Sequence, residues 1–199
     1  MIDERFAYLG VIISFLGGLI YLKAVIKGEV KPNKVSWLIW SIAPFIAFFA
    51  QARQGVGVES LGSLISGVDP LLIFAASFLN RKAEWKVTRF DLTCGLLSFL
   101  GLALWQITQV GNIAIIFCIL ADFLAGVPTL VKCYKEPETE NGVGFLLGCI
   151  GIGLTVLTIK DWNFANYGFT LYITFACFLL FSLIQFKLGR RISSLIAGQ

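Results

Sequence analysis

The chain has no histidine among its 199 residues, and only 14% of them are charged. The first absence removes the side chain that most often serves as a general base or metal ligand near neutral pH. The second removes the polar coat of a soluble domain, in which about a quarter of residues are charged. Transmembrane strands are missing too, because no segments of about ten residues alternate in polarity. The five cysteines (Cys94, Cys118, Cys133, Cys149, Cys177) lack zinc-type spacing and read as small apolar residues of a packed interior. No small-residue cleavage site follows the first apolar run, so a cleaved signal is not expected.

What the chain has is apolar length. Hydrophobic residues make up 57% of it and the mean hydropathy is +0.83. Runs able to cross about 30 Å of hydrocarbon as helix lie at 6–26, 35–51, 61–79, 92–108, 113–133, 143–159 and 166–187. The expected fold is therefore an all-α integral membrane protein with seven transmembrane helices and almost no soluble part.

The front half returns 108 positions later without a gap. Phe15-Leu16-x-Gly18 recurs as Phe123-Leu124-x-Gly126, and Leu22 and Lys27 recur as Leu130 and Lys135. Asn33-x-Val35 becomes Asn141-x-Val143, and Leu38 and Ile42 meet Leu146 and Ile150. Ile65, Leu71-Leu72 and Phe78 meet Ile173, Leu179-Leu180 and Phe186. One offset spans three apolar segments in each half and leaves a lone segment between them. The expected division is a first three-helix repeat over 1–90, a linker helix with a short outer loop over 91–111, and a second repeat with a cytosolic tail over 112–199. Such a repeat marks transporters built from two bundles of like orientation.

Basic residues orient the chain. One set of segment ends carries Lys23, Lys27, Lys31, Lys34, Arg81, Lys82, Lys86, Arg89, Lys132, Lys135, Lys187, Arg190 and Arg191; the other carries only Arg5, Arg53 and Lys160. The positive-inside rule places the N-terminus outside and the C-terminus in the cytosol, with a bacterial inner or plasma membrane as the expected location. The net charge of +4 is this asymmetry, so no nucleic-acid partner is expected. Trp105, Trp162 and Tyr167 fall near the outer interface and Trp85 near the inner one, where aromatic belts form. The stretch Arg81–Arg89 is expected to sit on anionic head groups.

Gly126-Val-Pro128-Thr129-Leu-Val-Lys132-Cys-Tyr134-Lys135, followed by Glu136-Pro-Glu-Thr-Glu140-Asn141-Gly142-Val143-Gly144, resembles the PQ-loop signature. The three-plus-one-plus-three layout is similar to that of the SWEET sugar transporters of the same wider group. The likeness covers most of the chain in layout and about twenty residues in motif. The Gln of the PQ pair is Thr129 here, and the first repeat has Ile20-Tyr21. The resemblance implies transport of a small solute by alternating access. Such proteins place matched prolines in the first and second helices of each bundle; here Pro44 faces Ile152 and Pro128 faces Ile20. Sugar-carrying relatives use polar amides in the third helix of each bundle, where this chain has Asp69 and Cys177.

On their own terms, Pro44, Pro70 and Pro128 each remove a backbone donor inside a span and free a carbonyl one turn earlier. They read either as hinges for a rocking motion, Pro44 and Pro128 first among them, or as static kinks, with Gly151 and Gly153 supplying flexibility in the sixth span. Asp69 and Asp122 sit about nine residues into their spans, where a charge costs roughly 2.5–3.5 kcal/mol. No Lys or Arg lies at like depth, so each carboxyl is either protonated or faces a wet cavity. The functional reading is a coupling or solute site. The structural reading is a protonated carboxyl bonded to a freed carbonyl. By the repeat, Asp122 stands opposite Ser14, Asp69 opposite Cys177, and Ser66 opposite Thr174, so these positions are expected to line one cavity from two sides. Trp37, Trp40, Ser41 and Pro44 share a helix face. They form either an aromatic wall of the solute path or, for Trp37 above all, part of the inner belt. Gly144, Gly148 and Gly151 have the spacing of close helix packing. Asn33 and Asn141 read as helix caps. The connections 27–34 and 135–141, one basic and one acidic, are expected to pair across the cytosolic mouth as exposed ions contributing about 0–1 kcal/mol.

The leading expectation is a transporter of a small polar solute, with proton coupling through Asp122 and Asp69 as a further layer. The alternative is a receptor or scaffold on the same fold that binds a ligand without moving it. Lipid and the solute are the partners, assembly into a homo-oligomer is left open, and no metal or other cofactor is expected. An intramembrane enzyme has no support, since no nucleophile lies beside a base. A retinal protein is disfavoured because the last span has no mid-membrane Lys.

Overall fold

A computed structural model describes residues 2–79, 86–108 and 111–197, with side chains described throughout except at 101–102, 104–108 and 193–197. The described residues are helical, with no strand. The helices are α1 (Arg5–Lys27), α2 (Lys34–Arg53), α3 (Leu61–Ala76), α4 (Arg89–Thr108), α5 (Gly111–Lys135), α6 (Gly142–Leu157), α7 (Phe164–Gln185) and α8 (Leu188–Ala197). A 3-10 turn over Val58–Ser60 leads into α3. Among the described residues, five helical segments are long and apolar enough to cross a membrane: α1, α2, Val58–Ala76, α5 and α7. Helix α6 is apolar but has only 16 residues.

The boundaries follow from local chemistry. Asn33 Oδ1 accepts from the Val35 and Ser36 N–H groups, and Asn141 Oδ1 from that of Gly144, so both asparagines cap as their positions suggest. Asn163 caps α7 through the Asn166 N–H. At the start of α4, Thr88 N–H donates to Asp91 and Asp91 N–H to the Thr88 hydroxyl, a reciprocal cap. Helix α1 ends on Gly28 at φ 75°, the left-handed conformation that glycine adopts without a Cβ clash.

Outward faces are apolar. Ile12, Leu16 and Leu19 on α1, Ile116, Leu120 and Phe123 on α5, and Leu171, Phe175 and Phe178 on α7 are all exposed at three- and four-residue spacing. Phe175 is 64% exposed. A surface of that kind fits hydrocarbon and not water. The polar groups are inside. Gln51, fully buried, donates to the Ala165 carbonyl and accepts from the Ser63 hydroxyl, tying α2 to α7 and α3.

Helix α1 packs on α3 and α6, α2 on α3, α4 and α5, and α7 on α5 and α6. The α1–α6 contact is the closest: a Cβ on Gly151 would meet Ser14 Cβ at 2.9 Å, and one on Gly17 would meet Leu147 Cβ at 2.8 Å. Gly151 is thus a packing residue and not a source of slack. Helices α2 and α5 run unbroken through Pro44 and Pro128.

Within the expected tail, Leu188–Ala197 is a helix lying against α5 and α7. Arg190 and Lys187 hold it to Glu138 at 2.8 and 3.0 Å. Arg81, Lys82, Glu84 and Trp85 of the expected head-group stretch lie outside the described residues, as does the Trp105 side chain. Trp162 is exposed beside Tyr167, ring centroids 5.8 Å apart, at the end opposite the basic one.

Candidate functional site

Six helices, α1, α2, α3, α5, α6 and α7, enclose a cavity of about 110 Å³. Ser14 and Tyr21 reach it from α1, Trp37 and Trp40 from α2, and Ser66 and Asp69 from α3. From the other side come Asp122 on α5, Phe145 and Gly148 on α6, and Cys177 on α7. Seven of the eight expected binding or coupling residues therefore meet around one space. Thr174 does not join them; its hydroxyl donates to the Thr170 carbonyl one turn back, at 2.8 Å, and its methyl lies beside Gly153. Ser66 also donates to its own helix, at the Gly62 carbonyl, while still lining the cavity.

The two carboxyls are held differently. Asp122 is 3% exposed and its Oδ2 accepts from the Tyr172 hydroxyl at 2.9 Å. Asp69 packs against Gly18 of α1, and its Oδ1 is buried without a hydrogen-bond partner. Trp40 donates its indole N–H to the Asp122 carbonyl at 3.1 Å and lies over Gly126, where a Cβ would meet the ring at 3.3 Å. One turn along, the Ser36 hydroxyl donates to the Ala125 carbonyl at 2.6 Å and accepts from Thr129, beside the backbone interruption that Pro128 makes.

Trp37 corrects an expectation. It belongs to no interfacial belt: it is 4% exposed, its ring 4.7 Å from that of Tyr21 at a tilt of 43° and nearly perpendicular to Trp40 at 5.2 Å. This face of α2 meets Tyr21 and Phe145, beside the close α1–α6 approach at Gly17 and Gly144. Gly148 and Gly144 both line the cavity, whereas Gly151 does not, and Cys177 Sγ lies 3.4 Å from where a Cβ on Gly148 would be.

Towards the basic end the cavity meets a buried polar knot. The Tyr21 hydroxyl and the Lys132 ammonium both donate to Glu140, and Lys132 also donates to the Lys31 carbonyl. The Lys31 N–H in turn donates to the Thr139 carbonyl at 3.0 Å. The two connections do meet here, but not as exposed ions of opposite sign. Glu140 takes its cation from α5 of its own half, both side chains are fully buried, and the basic connection contributes backbone.

No family model, curated protein or solved structure matches this chain. The site is accordingly read from its own chemistry. Two carboxyls, three hydroxyl- or thiol-bearing side chains and four aromatic rings surround a space with no cationic side chain among its described lining residues. Tyr21, Phe145 and Tyr172 were not singled out from the sequence. Tyr172 was within reach of a depth count, being the ninth residue of α7 as Asp122 is the twelfth of α5, both counted from the same end.

Proposed function

We propose that the chain is a membrane transporter of a small polar solute, working by alternating access between two three-helix bundles, α1–α3 and α5–α7, joined by α4. The observation that carries this reading is one cavity lined by all six helices of the two proposed bundles and by no described residue of α4. A buried, partly polar space at the meeting of two bundles is where a carrier holds its solute. The layout resembles that of PQ-loop and SWEET-like carriers, with the N-terminus outside.

Symmetry of contact supports the two-bundle reading. Exchanging α1–α3 with α5–α7 turns the α1–α6 contact into α5–α2, α1–α3 into α5–α7, and α2–α3 into α6–α7, all of which occur. Helix ends keep the sequence offset as well: α1 ends at Lys27 and α5 at Lys135, and α2 begins at Lys34 and α6 at Gly142. Individual contacts follow suit. Tyr21 packs on Gly144, and Thr129, its counterpart, bonds to Ser36, the counterpart of Gly144.

Proton coupling through Asp122 and Asp69 is a further layer of the same proposal, supported by their place in the cavity wall. Flux of candidate solutes into proteoliposomes tests the transport claim, and binding without flux would make the chain a receptor. Asp122→Asn is expected to abolish the pH dependence of flux; an unchanged dependence overturns coupling at that residue.

A further inference from the structure

We propose that the cavity takes a small organic cation bearing one hydrogen-bond acceptor, its ammonium group set between Asp69 and the corner formed by Trp37 and Trp40. The inference rests on the reading of this cavity as the solute site.

Charge is the first argument. Asp69 and Asp122 both reach the cavity, and among its described lining residues there is no Lys or Arg to neutralise them. The buried cation near the basic end, Lys132, is engaged by Glu140 and the Lys31 carbonyl. Asp122 has Tyr172 as a donor, whereas Asp69 Oδ1 is buried and unpartnered. Buried polar atoms in folded proteins are nearly always satisfied and buried carboxyls paired, so an orphan carboxyl oxygen at a cavity wall points to a donor or a positive charge supplied by what enters. Intramembrane carboxyls that face a cavity mark ion or solute paths.

The rings give the second argument. Trp37 and Trp40 stand at 83° with centroids 5.2 Å apart, which makes two walls of a box, and Tyr21 lies against Trp37 at 4.7 Å. Ring faces attract alkylammonium groups within about 6 Å, tryptophan most strongly. Plain core packing accounts for Trp40, whose indole is bonded to the Asp122 carbonyl. It accounts less well for Trp37, whose Nε1 is buried with no hydrogen bond of normal geometry, only the neighbouring Tyr21 hydroxyl being near it. A buried indole N–H ordinarily finds a partner, and a hydroxyl or ether oxygen on the solute supplies one. Size is the third argument. At about 110 Å³ the space falls well below the roughly 300–1,000 Å³ of drug-sized sites.

The test uses the purified full-length chain, with calorimetric titration of choline, of its neutral isostere 3,3-dimethyl-1-butanol and of glucose, followed by flux of each in proteoliposomes. Choline is expected to bind at least ten-fold more tightly than the isostere. Asp69→Asn, an isosteric change, is expected to weaken choline at least ten-fold and to leave the isostere unaffected. Equal binding of choline and isostere, or choline binding indifferent to Asp69→Asn, overturns the cation assignment. Glucose bound or moved in place of choline overturns it too, while leaving the solute site standing. If no solute is bound or moved, both readings fall. The choline–isostere comparison on the unaltered chain keeps the test decisive should the variant fail to fold.

Discussion

Lys132 looks, in the sequence, like one more basic residue at a helix end; in the fold it is 2% exposed and locked to Glu140. Removing one partner of such a pair strands a charge in a dry interior and typically costs about 3–5 kcal/mol, whereas replacing both with apolar groups is often close to neutral. Glu140→Gln is therefore expected to lower stability by about 3–5 kcal/mol in detergent unfolding, and Lys132→Met with Glu140→Leu to recover most of it. Recovery that fails would mean the Tyr21 hydroxyl and the Lys31 carbonyl depend on the charges themselves. Two positions away, Glu138 is solvated and behaves otherwise. Its own backbone N–H first, and Lys187 next, hold its carboxyl below the ordinary 4.5. A depressed carboxyl lends stability that is present above the unfolded value and lost as pH falls through the folded one. Hydrogen exchange across Leu188–Ala197, corrected for intrinsic rates, should rise below pH 4.5, and Glu138→Gln should show the raised exchange already at neutral pH. Neither glutamate's role was legible, because an acidic loop reads the same whether its carboxyls turn inward or outward.

The α2–α5 and α1–α6 contacts are alike in place under the proposed symmetry and unlike in chemistry. Helices α2 and α5 join through hydroxyl and indole donors to helix carbonyls, Ser36 to Ala125 and Trp40 to Asp122. Helices α1 and α6 join by removing side chains: Gly10, Gly17, Gly144 and Gly151 bring backbone to backbone. The small-residue spacing on α6 showed that a close approach was coming. It could not name Gly10 and Gly17 as the partner surface, since one helix's spacing carries no address. Gly151→Ala would force its Cβ against Ser14 and is expected to cost about 1–3 kcal/mol, the usual range for overpacking. Gly153→Ala meets only the Thr174 methyl at 3.4 Å, an ordinary contact, and should melt as the parent does. Equal melting temperatures for the two variants would show that α1 and α6 have room to part.

At the scale of the whole chain, apolar runs located the helices to within a few residues, and Asn33 and Asn141 marked two of their starts correctly. Counting depth and pairing repeat positions brought Ser14, Ser66, Asp69, Asp122, Cys177, Trp37 and Trp40 to one cavity. Thr174 lies outside it, its methyl turned to Gly153 of α6, a side-chain direction that a position in the repeat does not reveal. Tyr172 and Tyr21 were missed because their partners, Asp122 and Glu140, are 50 and 119 residues away. The shortness of α6 bears on the surrounding lipid. Its 16 residues reach about 24 Å at 1.5 Å each, less than the roughly 30 Å of an average hydrocarbon layer. Its outward stripe of Val143, Ile150 and Leu157 is exposed along that whole length. A bilayer meeting this flank has to thin locally, at a cost of fractions of a kcal/mol per ångström. If the proposed transport holds, solute flux should be faster in vesicles of short-chain than of long-chain phosphatidylcholine, which would make membrane thickness itself a control on the proposed carrier.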